Sequence, residues 1–177
     1  MSASLFSLKG KRALLTGGAQ GIGAGIAKGL GDAGAIILIN ARNPEKLDAG
    51  VLQFREAGID AHGFLFDVTQ AAQVQQSIAR IEDESGPIEI LINNAGIIRR
   101  EPAENLREDD WNEVIRTNLT APFLVSKYVG RYMIKRQRGK IINICSLMSE
   151  LGRETVSAYA SAKGGLKMLT RSLATEW

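Results

Sequence analysis

Thr16-Gly17-Gly18-Ala19-Gln20-Gly21-Ile22-Gly23 follows a short apolar run, Ala13-Leu14-Leu15, and opens a helical pattern. A chain that passes from strand to helix within so few residues must turn sharply, bring its backbone close to a ligand and pack helix on strand. Gly17, Gly21 and Gly23 permit each of these, and the unpaired N–H groups at a helix start favour an anion. Glycine is also abundant, 19 of 177 residues, against an average near 7%. A glycine loop placed between strand and helix points to a dinucleotide phosphate site, with Gln20 and Ile22 carried on the same loop.

Working outward, four more β-branched runs alternate with four more helical patterns. Strands are expected at residues 13–16, 35–40, 61–66, 88–92 and 140–145. Helices are expected at 21–33, 44–57, 70–85, 107–136 and 155–177. Continuous apolar runs at 36–39 and 141–144 read as strands buried on both faces, hence a parallel sheet. Gly34, Gly58, Gly86 and Gly139 fall where helices end and suit left-handed caps. The alternation predicts an α/β fold, a Rossmann-like doubly wound parallel sheet with helices on both faces, in one domain over residues 1–177. Pro122 lies inside the fourth helical pattern and should kink or interrupt it near Thr120. The chain stops at Trp177 within a helical pattern, so the last strands of such a fold are expected to be missing.

Composition narrows the function. Apolar residues make up 45% and charged residues 23%, ordinary for a globular domain. No stretch approaches the roughly 20 apolar residues of a membrane helix, and residues 1–10 lack the pattern of a secretory signal. A single cysteine, Cys145, excludes an internal disulfide framework and fits a cytoplasmic setting. With one histidine, His62, no zinc cluster can be assembled and no metal site is expected. The net charge is +3, with cations gathered at Arg131, Lys135, Arg136, Arg138 and Lys140. These complement a helix C-terminus and carry no nucleic-acid motif, so no nucleic-acid partner is expected. Cys145 in a buried strand should point away from the site and serve the core rather than act as a nucleophile, and His62 reads as structural.

The loop spacing is T-G-x-x-x-G-x-G, and further segments accompany it: Asp67-Val68 after the third strand, Asn93-Asn94-Ala95-Gly96 after the fourth, Asn118 in the long helix, Ser146 after the fifth, and Tyr159-Ala-Ser-Ala-Lys163. In this order and spacing they resemble the short-chain dehydrogenase/reductase family. The resemblance covers the whole chain and about the N-terminal two thirds of a typical member. It implies that Asp67 and Val68 meet the adenine, that Asn94, Ala95 and Gly96 line the cofactor site, and that Asn118, Ser146, Tyr159 and Lys163 are catalytic. It also implies that Asn118 holds a proton-relay water and that a full-length relative is a homotetramer. Trp111, Val114, Phe123 and Tyr128 could serve such an interface or the core.

The catalytic set makes chemical sense independently of any relative. Tyr159 and Lys163 are four residues apart and share a helical face. A phenol, with an ordinary pKa of about 10, is a poor base at neutral pH, and a nearby ammonium stabilises its phenolate. Such a phenol can take an alcohol proton as hydride leaves, or return one to a ketone. Ser146 would hydrogen-bond the substrate oxygen, and Lys163 would also hold the nicotinamide ribose.

Cofactor choice turns on Asn40-Ala41-Arg42-Asn43. NAD enzymes commonly place an acid at this point for the ribose 2′-hydroxyl. Here there is none, and Arg42 can bond a 2′-phosphate, which favours NADP with NAD as the alternative. Around the site, Ile97-Ile98-Arg99-Arg100, the segment Asn143-Ile144-Cys145-Ser146-Leu147-Met148-Ser149-Glu150-Leu151-Gly152-Arg153-Glu154 and the opening Leu5-Phe6-Ser7-Leu8-Lys9-Gly10 resemble the gluconate 5-dehydrogenases of the family. The 2-dehydro-3-deoxygluconate 5-dehydrogenases are similar in the first of these segments. A sugar-acid substrate follows, its carboxylate held by Arg100 or Arg153 and its hydroxyls by Glu150 or Glu154. The alternative for Arg99, Arg100 and Arg153 is pairing with nearby acids such as Glu101 and Glu154. A reading of another class, a cofactor-binding fragment without turnover, stays open beside the enzyme.

Overall fold

The computed structural model describes residues 5–177, so residues 1–4 of the opening segment lie outside the described residues. Five strands form one parallel sheet: β1 (Arg12–Thr16), β2 (Ile36–Ala41), β3 (Ala61–Leu65), β4 (Ile90–Asn93) and β5 (Lys140–Asn143). The helices are α1 (Gly21–Asp32), α2 (Pro44–Glu56), α3 (Ala71–Glu84), α4 (Glu108–Ile115), α5 (Ala121–Lys135) and α6 (Ser157–Glu176). Strand order is β3-β2-β1-β4-β5, so the chain reverses its winding between β1 and β4. In such sheets the crevice beyond the carboxyl ends at that reversal is where ligands bind.

Side-chain alternation divides the core between the two faces. Leu14, Leu38 and Leu91 pack with Val74 and Ile78 of α3 and Val125 and Val129 of α5. On the other face Leu15, Ile37, Ile39 and Ile92 meet Ala27 of α1 and Leu47, Val51 and Phe54 of α2. A third cluster joins Val114 of α4 to Ala158 and Ala162 of α6, with Tyr159 packed against it. The doubly wound sheet expected from the alternation is therefore the observed one.

One expected irregularity is present and two details differ from expectation. The long helical pattern is broken by a π-turn at Arg116–Thr120, where the Ala121 N–H reaches back five residues to the Arg116 carbonyl. Pro122 has no N–H to give and sits in the first turn of α5, so the interruption expected near Thr120 is real. Gly139 does not take the left-handed conformation that Gly34, Gly58 and Gly86 do. Gln137 takes it instead, at φ 52°. Any Cβ at position 139 would collide with Met133, so close packing accounts for the glycine. Finally, β5 is not buried on both faces: it ends at Asn143 as an edge strand, and Ile142 is about half exposed.

Register pairs Thr16 with Asn40 and with Asn93, and Asn93 with Asn143, aligning a polar row across the carboxyl end of the sheet. Each member is put to use. Asn40 donates to the Phe66 carbonyl at 2.8 Å, and the Thr16 hydroxyl oxygen accepts from the Asn94 and Ala95 N–H groups. Asn93 donates to Asn143, which donates to Thr170 of α6 at 2.9 Å. This row fixes α6 and the loop after β4 over the crevice.

Candidate active site at the carboxyl ends of the strands

The glycine loop is shaped as its spacing requires. Gly17 and Gly21 sit at φ 62° and 58°, in the left-handed region. A Cβ on Gly23 would press on the Gly17 carbonyl and on Asn94, so α1 can pack here only without a side chain. The Asn94 amide donates to the carbonyls of Thr16 and Gly17, at 3.2 and 3.0 Å, and locks the loop to the segment after β4. No acidic residue stands in the first turn of α1, so nothing there opposes a phosphate. Gln20 and Ile22 are exposed on the loop, and Arg42 is exposed just past β2. The Asp67 carboxylate accepts from the N–H and hydroxyl of Thr69, both at 2.8 Å, while Val68 is buried against the core. These residues fit a dinucleotide carrying a 2′-phosphate: a glycine cradle, a helix start without acids, and a cation beyond β2.

A cleft of about 500 Å³ opens beside the loop, lined by Ile22, Asn94 and Gly96 on one side and Ser146, Tyr159 and Lys163 on the other. Arg100 and Arg153 also line it. A larger cleft, about 1040 Å³, runs along the free edge of β5 and is lined by none of the candidate cofactor, catalytic or substrate residues.

Lys163 is 5% exposed, and its ammonium donates to the Ile144 carbonyl at 2.5 Å and stands 5.7 Å from the centre of the Tyr159 ring. Burial pulls its pKa below the ordinary lysine value, and the nearby Cys145 sulfur offsets part of that. Small residues allow α6 to come this close: a Cβ on Gly165 would lie 2.8 Å from Leu119 of the π-turn. The Ser146 oxygen accepts from the Met148 N–H at 3.1 Å, heading a short 3₁₀ turn, Leu147–Ser149, that sequence did not reveal. With its oxygen already accepting, the Ser146 hydroxyl keeps its proton to donate.

Asn118 is fully buried by the π-turn, and its amide pairs with both the N–H and the carbonyl of Ile97. Gly96 is small because a Cβ there would lie 2.6 Å from Asn118 Oδ1. The side chain is thus committed to the backbone after β4.

The remaining candidates separate by partner. Arg99 pairs with Glu113 at 2.8 Å and Asp110 at 3.6 Å, neither of them the acids expected from sequence. Glu150 pairs with Lys167 and does not line the cleft, nor does Glu154, which is exposed beyond it. Cys145 is not a core residue: β5 ends two residues earlier, the strand alternation no longer applies, and the half-buried thiol lines the cleft. His62 pairs with Asp60 at 3.0 Å, away from the cleft. Arg136, in the basic cluster, is held by Glu82 at 2.8 Å.

A five-stranded parallel sheet with a glycine cradle at its reversal point and a serine, tyrosine and lysine facing one cleft define a nucleotide-dependent oxidoreductase architecture. The family model for short chain dehydrogenases matches residues 11–177, and the chain belongs to that family. The 2-dehydro-3-deoxy-D-gluconate 5-dehydrogenase of Formosa agariphila is 52% identical over all of this chain and 67% of its own length. The 5-keto-D-gluconate 5-reductase of Escherichia coli is 49% identical over 97% of this chain and 68% of its own length. Among solved structures, a gluconate 5-dehydrogenase from Burkholderia cenocepacia in complex with NADP and tartrate superposes with a TM-score of 0.94. It is 48% identical and matches 97% of this chain and 68% of that one. The chain thus spans about two thirds of the length of these relatives.

Proposed function

We propose that this protein is an NADP-dependent oxidoreductase interconverting a secondary alcohol and a ketone at C5 of a six-carbon sugar acid, gluconate and 5-keto-gluconate being the leading pair. The observation that carries the reading is the shared cleft: Ser146, Tyr159 and Lys163 face it together with two arginines beside the glycine loop. When bound, the nicotinamide supplies the hydride acceptor or donor. In oxidation the Tyr159 phenolate takes the substrate hydroxyl proton as the carbinol C–H leaves as hydride; in reduction its phenol returns that proton to the oxygen. Lys163 contributes positive charge beside the ring and hydrogen bonds to the ribose. The Ser146 hydroxyl donates to the reacting oxygen as its charge changes.

Gly17, Gln20, Gly21, Ile22 and Gly23 receive the pyrophosphate side of the cofactor, Arg42 the 2′-phosphate, Asp67 and Val68 the adenine, and Asn94, Ala95 and Gly96 the nicotinamide half. Asn118 is proposed to act through its buried turn, whose backbone can hold a relay water. Arg100 and Arg153 hold the substrate carboxylate, which a guanidinium can meet with two parallel hydrogen bonds. The 52% identical relative favours a second substrate, the 2-keto-3-deoxy sugar acid, with the same chemistry at C5. A homotetramer belongs to this reading, supported by exposed Trp111 and Phe123 on α4 and α5. A cytoplasmic location also belongs to it, since a lone unpaired thiol suits a reducing compartment.

The deciding experiment follows NADPH oxidation with 5-keto-gluconate against a panel of keto acids and neutral ketoses. Turnover with a C5-keto sugar acid and loss of it in Tyr159→Phe are expected. NADPH binding without hydride transfer to any keto sugar acid would leave only a cofactor-binding protein.

A further inference from the structure

Between β5 and α6 the chain runs through residues 144–156 and carries Arg153 at the mouth of the cleft. Packing alone does not hold this stretch, because Leu147 and Leu151 are largely exposed. Beyond the bonds that Ile144 makes to Lys163 and Asn93 at its start, three polar ties hold it instead. The first is the Ser146–Ser149 pair at the 3₁₀ turn: the Ser149 hydroxyl oxygen accepts from the Ser146 N–H, and that of Ser146 from the Met148 N–H. The last is a backbone bond from the Glu101 N–H to the Thr155 carbonyl at 3.0 Å, joining the loop of Arg100 to that of Arg153. Thr155 accepts φ 65° there, a conformation that a β-branched side chain resists unless its surroundings impose it. The middle tie is the ion pair of Glu150 with Lys167. Lys167 stands one helical turn beyond Lys163 and two beyond Tyr159, so it belongs to the same face of α6.

We propose that Glu150 and Lys167 are a positioning pair that anchors the Arg153 loop to the catalytic face of α6 and thereby sets affinity for an anionic substrate. Glu150 acts on Arg153 through the loop and meets no substrate hydroxyl. This deepens the function proposed above and rests on the placement of the carboxylate at Arg153. The pair is exposed, so its effect is modest, and it concerns substrate binding rather than the proton transfer at Tyr159.

The test uses Glu150→Gln, Lys167→Ala, the double variant and the exchanged pair Glu150→Lys with Lys167→Glu. KM for 5-keto-gluconate should rise about two- to fivefold in each single variant, the range an exposed ion pair supplies. The double variant should show the same rise and not its square, and the exchanged pair should return toward the parent value. KM for a neutral ketose should stay level throughout. Amide hydrogen exchange over residues 150–155 should quicken in both single variants and slow again in the exchanged pair. A rise in Glu150→Gln with no effect of Lys167→Ala on KM or exchange would overturn the proposal in favour of direct contact. If the parent protein reduces no sugar acid, the proposed function fails, and hydrogen exchange alone still judges whether the pair anchors the loop.

Discussion

The side-chain amide of Asn118 and the backbone of Ile97 exchange two hydrogen bonds, the Ile97 N–H to Oδ1 at 2.8 Å and Nδ2 to the Ile97 carbonyl at 2.6 Å. The pair works like a rung of sheet, tying the π-turn to the loop after β4. Asn118→Ala would strip partners from both backbone groups, at a cost of about 2–4 kcal/mol in urea unfolding. Asn118→Asp should be at least as damaging, since a carboxylate sets a second acceptor against the Ile97 carbonyl. Parent-like stability in either variant would contradict this.

Two glycines of the cradle should respond differently to a methyl group. At Gly21 there is open space but a φ of 58°, so Gly21→Ala costs about 1–2 kcal/mol of conformational strain. At Gly23 the added carbon would press into the Gly17 carbonyl and lie 2.6 Å from the Asn94 amide. Gly23→Ala must therefore shift the loop itself, and NADPH affinity measured by fluorescence should fall much further than in Gly21→Ala.

Arg42 is exposed past β2 and has no acid to compete for it at the strand end. Arg42→Asp should weaken NADPH binding at least tenfold while changing NADH binding little, since a charge-assisted bond to phosphate becomes a repulsion. Equal losses for the two cofactors would remove Arg42 from the 2′-phosphate site.

The three arginines around the cleft should separate by partner. Arg99 is occupied by Glu113 and Asp110, so Arg99→Ala should leave KM for a sugar acid close to the parent value. Arg100→Ala and Arg153→Ala should raise it about tenfold, with KM for a neutral polyol unchanged. A rise of equal size for acid and polyol would refute the carboxylate assignment.

Lys163 carries a charge into a nearly closed environment, and burial lowers its pKa. Below the lowered folded value the ammonium is charged in folded and unfolded chains alike, so its desolvation there is a standing cost. As pH rises through the lowered folded value toward the ordinary 10.5, the folded chain loses its proton first and that cost is relieved. The parent should therefore gain stability relative to Lys163→Met as pH rises from neutrality toward 10.5. A difference that stays flat with pH would show that no buried ammonium is involved.

Much of the architecture was legible because its causes are local. Apolar runs of strand length, glycines at helix ends and a proline inside a helical pattern each act through the backbone of their own few residues. The strand limits shift by up to two residues, most at β4 and β5, and in β5 a run of isoleucines suggested burial on both faces that Ile142 does not have. The same limit decides Cys145: strand alternation through residue 145 points its side chain away from the site, but residues 144 and 145 are not strand.

The site divides in the same way. The face shared by Tyr159 and Lys163 and the conformation of the glycine loop were decided by sequence alone, since helical pitch and left-handed φ depend on spacing and side-chain size. The tertiary structure decided which charged and polar groups meet: Arg99 with Glu113 and Asp110, Glu150 with Lys167, Asn118 with Ile97. Those partners lie 11 to 21 residues apart and come together only when the loops after β4 and β5 fold onto the helices and π-turn that follow them. Coulomb attraction and hydrogen bonding act over a few ångströms of space, a distance that no run of residues encodes until the strands have been ordered.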